Sequence, residues 1–148
     1  MASPALHTLL KLRRAAREES QAIVKRAEDE RDAQAERLQA LRDATVRGRS
    51  SIDPTDPFSL TSWHAFRMRQ EVAERREVMK LKQRERDLDQ KRAIHVARVR
   101  DELALQRLIE HQDAEEAAEA RVREGRAMDE IASRINPAED GPLKIASA

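Results

Sequence analysis

Apolar and small side chains recur along the first third of the chain at Leu6, Leu9 and Leu10, Leu12, Ala16, Ile23, Ala27, Leu38 and Leu41, mostly three, four or seven residues apart. That spacing returns a side chain to one face of an α-helix. No proline or glycine lies between Pro4 and Gly48, so the pattern predicts one helix over residues 4–47. Ser3 is suited to cap it and Pro4 to fill its first position, where a missing amide leaves nothing unsatisfied. Gly48 is expected just past the helix end in a left-handed conformation. "SSIDPTDP" (50–57) then stops the chain twice, because each proline lacks an amide donor and disfavours helix at the residue before it. Residues 48–57 therefore read as a hinge. Asp56 is the expected cap of the next helix, with Ser59 and Ser62 as alternatives.

The second helix is predicted over residues 58–135, with Gly125 as an internal weak point costing about 1 kcal/mol relative to alanine. "NPAEDGP" ends it, and residues 136–148 are expected to form a loose tail. At helical rise the two helices are roughly 65 Å and roughly 110–115 Å long. A long helix with a narrow apolar stripe needs a partner, and the nearest is its neighbour across the hinge. The fold class expected is all-α: one domain made of two long helices in an antiparallel coiled-coil hairpin, the second longer and overhanging. A seam in which paired residue numbers sum to about 104 aligns Leu41 with Trp63, Leu38 with Phe66, Ile23 with Leu81, Ala16 with Leu88 and Leu10 with Ile94. In that register the first helix runs out near residue 100. Residues from about 102 to 135 are left unpaired, although they carry Leu105, Leu108, Ile109, Val122, Met128, Ile131 and Ile135. Apolar residues left in water do little for a single helix, so either this segment meets another protein or the helix frays.

Composition sharpens the helical reading. Of 148 residues, 39% are charged and 2% aromatic, which is far from a compact core and close to long-helix or coiled-coil usage. A mean hydropathy of −0.82 makes disorder the competing reading, and the apolar periodicity argues against it. The net charge is +1 with both signs interspersed, which gives no general electrostatic case for nucleic acid or membrane. Charge is nevertheless uneven: residues 58–111 hold 13 basic and 9 acidic side chains, residues 112–140 hold 4 and 9. There is no cysteine, and no apolar run approaches a membrane span. The arginine-rich start slightly resembles a transit peptide, but the helical pattern runs through it unbroken, and a cytoplasmic protein is expected.

Candidate chemistry is sparse. Three scattered glycines make no phosphate loop. His7, His64, His95 and His111 lack the spacing of three or four that places metal ligands on one helical face. Acid pairs such as Glu18–Glu19 and Glu115–Glu116 lie on solvated faces, without the pocket that general acid–base work requires. The expectation is a non-enzyme with no cofactor. The basic cluster "RERDLDQKR" (84–92) has no aromatic neighbours on which bases could stack and is broken by acids, so nucleic acid is not an expected partner.

Three stretches resemble a known family. "ALHTLLKLRRAAREE" resembles the leucine-rich N-terminal turn, "SWHAF" the start of the second helix, and "GRAMDEIASRI" the C-terminal stretch of FliJ-type general chaperones of flagellar type III protein export. These are related to the YscO-type stalk proteins of injectisomes. The resemblance implies an antiparallel coiled coil acting as central stalk and export chaperone. Its chain ends would enter the hexameric export ATPase, through Leu6, Leu9, Arg13, Met128, Asp129, Glu130, Ile131 and Ile135. The hinge-side part would contact the cytoplasmic domain of the export gate, through Leu38, Leu41, Trp63, Phe66 and Ala73. Export chaperones are further implied partners, and the implied location is cytoplasmic, peripheral to the inner-membrane export apparatus. The resemblance also explains why the broken stretch 47–66 holds both phenylalanines and the single tryptophan: they close the seam at the turn and present a contact surface. The sequence departs from the family at "FRMRQEVAERRE", where Arg69, Ala73, Arg75 and Arg76 stand in place of large apolar residues, so the gate contact is apolar or electrostatic. An injectisome stalk and a coiled-coil scaffold with no export role remain as alternative readings.

Overall fold

The computed structural model describes residues 2–135; the tail at 136–148 lies outside the described residues. Two helices, α1 (Pro4–Ser50) and α2 (Pro57–Ile135), pack against each other as an all-α hairpin, with no strand among the described residues. The starts are set by local chemistry. The Ser3 hydroxyl accepts the Leu6 amide at 3.4 Å ahead of Pro4. Asp56 Oδ1 accepts the Phe58 amide at 3.0 Å ahead of Pro57, so Asp56 rather than Ser59 or Ser62 caps α2. Ser59 serves the turn instead, accepting the Asp53 amide at 3.3 Å. Asp53 also accepts the Thr55 amide and hydroxyl at 2.9 and 2.6 Å, and those two bonds, the hydroxyl's first, hold its carboxyl below the usual range.

Gly48 is not a left-handed terminator. It lies inside α1, no residue among those described has positive φ, and the helix runs on to Ser50. Its reason is space. A Cβ at Gly48 would sit 2.9 Å from Trp63 Cζ3 and 3.0 Å from Phe66 Cε1. The hinge therefore shrinks to residues 51–56.

The chain divides into two compact units, Lys11–Glu102 and Met1–Leu10 with Leu103–Ala148. In the first, Ala16, Glu28 and Ala44 of α1 are half-buried beside a continuous row of buried or half-buried positions, Arg13, Arg17, Ser20, Val24, Ala27, Arg31, Gln34, Leu38, Leu41, Thr45 and Gly48. They alternate four and three residues apart without a break, which is a heptad seam. Half of it is polar, and the polar members find partners across the hairpin. Ser20 Oγ lies 2.8 Å from His95 Nδ1, and because the same hydroxyl donates to the Arg17 carbonyl at 2.8 Å, the imidazole is the donor. Gln34 donates to the Glu77 carboxylate and to the Glu77 carbonyl, the latter at 3.3 Å. Arg17 donates to Glu102, which Arg14 also approaches at 3.6 Å. Ser20, Gln34 and Glu102 are buried, and no buried side-chain polar atom among the described residues lacks a partner. Leu88, 1% exposed, is the deepest apolar residue.

These contacts set a register different from the expected one. Ser20 with His95, Glu30 with Arg84, Arg42 with Glu74 and Gly48 with Phe66 have numbers summing to about 115 rather than 104. In the other unit, Leu10 is buried with Leu105, Ile109 and Ala2, with Leu6 packed against them, whereas Ile94 is 54% exposed. The two registers differ by about eleven residues, close to three helical turns, so the same faces meet in both. The expected alignment was chosen to bring apolar positions opposite one another. In the structure Gly48, near the end of α1, already packs on Trp63 and Phe66, so the first turns of α2 lie beyond the paired segment. Pairing along α2 consequently reaches at least to Asp113, which accepts the Ala2 amide at 2.5 Å, and does not stop at residue 102. Leu105 and Ile109 belong to the core, while Leu108 is 46% exposed.

Candidate functional site

The residues expected at a hinge-side contact gather in the Lys11–Glu102 unit. Leu38 is buried, and Leu41, Trp63, Phe66 and Ala73 are half-buried along the seam. Trp63 and Phe66 are three residues apart on one face, with ring centroids 5.6 Å apart and planes tilted by 33°. The missing side chain of Gly48 lets both rings lie against the α1 backbone. A shallow recess beside them is lined by Gly48, Ile52, Asp56, Phe58 and Ser62 together with the two rings. Phe58 is 79% exposed, so the largest apolar surface offered to a partner is a residue that the resemblance does not single out. Its signal in the sequence is its place directly after the Asp56–Pro57 cap, in the first turn of a helix, before any partner helix is in reach. Leu38 has almost no surface to give.

The residues expected at the ATPase contact divide. Leu6 packs against the Ala2, Leu10, Leu105 and Ile109 cluster, and Leu9 on the neighbouring face is exposed. Arg13 belongs to the other unit, where it pairs with Asp101 at 3.3 Å. Met128, Ile131 and Ile135 lie on α2 about 30–40 Å beyond Ile109 at helical rise. They are 69%, 51% and 71% exposed and recur at three and four residues, so they form one stripe. Asp129 and Glu130 beside them are exposed and make no ion pair among the described residues. From Asp113 to Ile135 only Ala120 is even half-buried.

The sequence reading missed the polar seam. Ser20, Gln34, Glu77, His95 and Glu102 carry no apolar signal, yet counting back in sevens from Leu41 lands on Gln34, Ala27, Ser20 and Arg13, and from Leu38 on Arg31, Val24, Arg17 and Leu10. Glu77 shows what the seam does to a charge. Its carboxyl is held below the usual range by the Gln34 amide and next by Lys80, whose ammonium lies 3.1 Å away. Two of the histidines have side-chain partners: His95 bonds Ser20 across the hairpin, and His111 faces Glu115 at 3.6 Å. Among the described residues no group of three or more His, Asp or Glu is placed to hold a metal ion, and no helix is long and apolar enough to cross a membrane. What the arrangement offers is two apolar surfaces, one at the hinge and one on the unpaired end of α2. No known protein family, curated protein or solved structure matches the chain.

Proposed function

We propose that this chain is a non-enzymatic central stalk and general chaperone of the flagellar type III protein export apparatus, linking the hexameric export ATPase to the cytoplasmic domain of the export gate. The observation that carries the reading is the stripe Met128, Ile131 and Ile135, exposed on a helix that has outrun its partner. A helix of that kind gains little by itself in water and gains most when a second apolar surface surrounds it. The central opening of a ring supplies such a surface, and the two carboxylates of Asp129 and Glu130 are available for basic groups lining it. The aromatic face at Trp63 and Phe66, with exposed Phe58, supplies the gate contact. In this reading the protein is cytoplasmic and peripheral to the membrane export apparatus, and it holds no cofactor because its work is mechanical contact.

The test is ATP hydrolysis by the purified export ATPase with and without the chain. The parental chain is expected to raise the rate. The double change Asp129→Lys with Glu130→Lys is expected to abolish that rise while leaving helicity and melting unchanged, since neither carboxylate has an ion-pair partner among the described residues to lose. A double variant that stimulates like the parent removes the stalk reading for this end of α2 and favours a scaffold.

A further inference from the structure

Toward its end α2 carries a second regular stripe that the hairpin does not use. Ala114, Ala117, Arg121, Glu124, Met128 and Ile131 are all exposed and alternate three and four residues apart. That is the spacing of a coiled-coil seam. The stripe lies roughly a third of a turn round the helix from the row of Leu105 and Ile109, so it does not continue the contact with α1. Its middle is charged and its ends are not. Arg121 Nε donates to the Ala117 carbonyl of its own helix at 3.4 Å, and neither Arg121 nor Glu124 makes an ion pair among the described residues. On one side of them stand the small Ala114 and Ala117. On the other stand the large Met128 and Ile131, 69% and 51% exposed. Gly125, beside the stripe, has nothing within 4 Å of where a Cβ would stand, so no contact inside the chain accounts for a glycine there.

The stripe is complementary to its own reverse. Arg121 with Glu124, Ala117 with Met128 and Ala114 with Ile131 all have numbers summing to 245. One antiparallel register of the helix against a second copy of itself therefore sets each cation against an anion and each large side chain against a small one. We infer that the chain forms a two-fold dimer in this register, with α2 of one copy antiparallel to α2 of the other over residues 114–131. Every contact is made twice across the axis: two Arg121–Glu124 pairs at the centre, flanked on both sides by Met128 on Ala117 and Ile131 on Ala114. Burial of the methionines and isoleucines supplies attraction, and the central charges select direction and register. Parallel pairing would set Arg121 on Arg121 and Glu124 on Glu124, which repel. The positions flanking the stripe, Ala118, Ala120, Gly125 and Ala127, are small, so the two backbones can approach closely, and that approach gives Gly125 its reason. The contact covers about five turns and closes on itself, so association is reversible and stops at a dimer. This goes beyond the stalk reading and does not rest on it, because neither the ATPase nor the gate is involved.

Sedimentation velocity of the full chain from micromolar to millimolar concentration tests it. The weight-average mass is expected to rise from monomer to dimer and no further. Arg121→Glu and, separately, Glu124→Arg should each weaken the dimer at least ~10-fold, because two like-charged contacts replace two opposite ones. Both side chains are exposed and lie outside the contact with α1, so circular dichroism should show unchanged melting. Mixing the two variants is the decisive arm. The first then presents two glutamates and the second two arginines, so a mixed dimer satisfies both contacts and should form where neither variant dimerises alone. The double exchange Arg121→Glu with Glu124→Arg should associate like the parent for the same reason. The chain has no native cysteine, so Ala117→Cys chains mixed with Met128→Cys chains should cross-link on oxidation. Met128→Cys chains by themselves should not; if they do, the dimer is parallel and the proposal falls. A chain that stays monomeric at every concentration also overturns it. So does a dimer that both single reversals leave intact, or one that the double exchange fails to restore, since either result means that Arg121 and Glu124 do not face each other.

Discussion

Gly48 offers the sharpest test of how the hairpin closes. Two explanations exist for a glycine at this point, a left-handed helix terminator or a place where two rings need the backbone bare, and the structure supports the second. Changing Gly48 to alanine has two opposed effects. The site is helical, so alanine is favoured by about 1 kcal/mol on propensity. Its Cβ also falls at 2.9 Å from Trp63 and 3.0 Å from Phe66, inside contact distance for both rings. Rings have few torsions with which to retreat, and one added methyl in a packed site typically costs about 1–3 kcal/mol. Displacing one ring also weakens the Trp63–Phe66 pair, worth roughly 0.5–1.5 kcal/mol. The net expectation for Gly48→Ala is a loss of roughly 0–2 kcal/mol. The sign should reverse when the rings are gone: in a Trp63→Ala, Phe66→Ala background the same change should stabilise by up to about 1 kcal/mol, leaving the propensity effect alone. Urea unfolding followed by far-ultraviolet circular dichroism measures all four chains, and Trp63, the only tryptophan, reports the local environment by fluorescence in those that keep it. Equal destabilisation in both backgrounds would refute the reasoning, since backbone strain, unlike a clash, does not depend on the rings.

Two further outcomes follow from the seam. With no native cysteine to interfere, Leu10→Cys should cross-link within one chain to Leu105→Cys, which shares its buried cluster, and not to Ile94→Cys; gel mobility under oxidising conditions decides between the registers. The Glu77 carboxyl has a lowered pKa in the folded chain, so its contribution to stability is complete above the ordinary carboxylate value of about 4.3 and is lost as pH falls through the lowered one. Glu77→Gln should therefore flatten the acid limb of the melting-temperature profile, and an unchanged limb would mean that the Gln34 contact does not discriminate between protonation states.

The elements of this fold were legible because their boundaries are written in local chemistry. Pro4, the 50–57 run and Asp56 mark where helices stop and start whatever the rest of the chain does, and the absence of proline and glycine between them leaves little alternative to helix. The register was not legible, because it is a long-range property carried here by polar residues. An apolar reading of α1 picks Leu9, Leu12 and Ile23, which the structure leaves 38%, 63% and 37% exposed, and passes over Arg17, Ser20 and Gln34, which lie in the seam. Those residues pair with Glu102, His95 and Glu77. Such pairs contribute little net stability, yet they are costly to leave unmade when buried, which is how they select one register from several that satisfy the leucines. A shift of about three turns preserves every face, so hydrophobic periodicity alone is degenerate with respect to it.

The unpaired stripe survived that error for a physical reason. Whether α2 has residues to spare depends on the lengths of the two helices, 47 and 79 residues, and these follow from Ser3 and Pro4 at one end of α1 and the broken stretch at the other. The register only moves the point to which pairing reaches, from about residue 102 to at least Asp113. Val122, Met128, Ile131 and Ile135 lie beyond both points. Leu105, Leu108 and Ile109 lie between them, and their fate changed with the register: Leu105 and Ile109 are core and have no bearing on a partner. The candidate surface at the end of α2 thus rests on punctuation, which a sequence states plainly. The extent of that surface rests on polar pairing, which only the packed structure shows. The same logic applies at the hinge. Offsetting α2 against α1 leaves the first turns of α2 beyond the seam, and that offset exposes Phe58 while Leu38 stays buried.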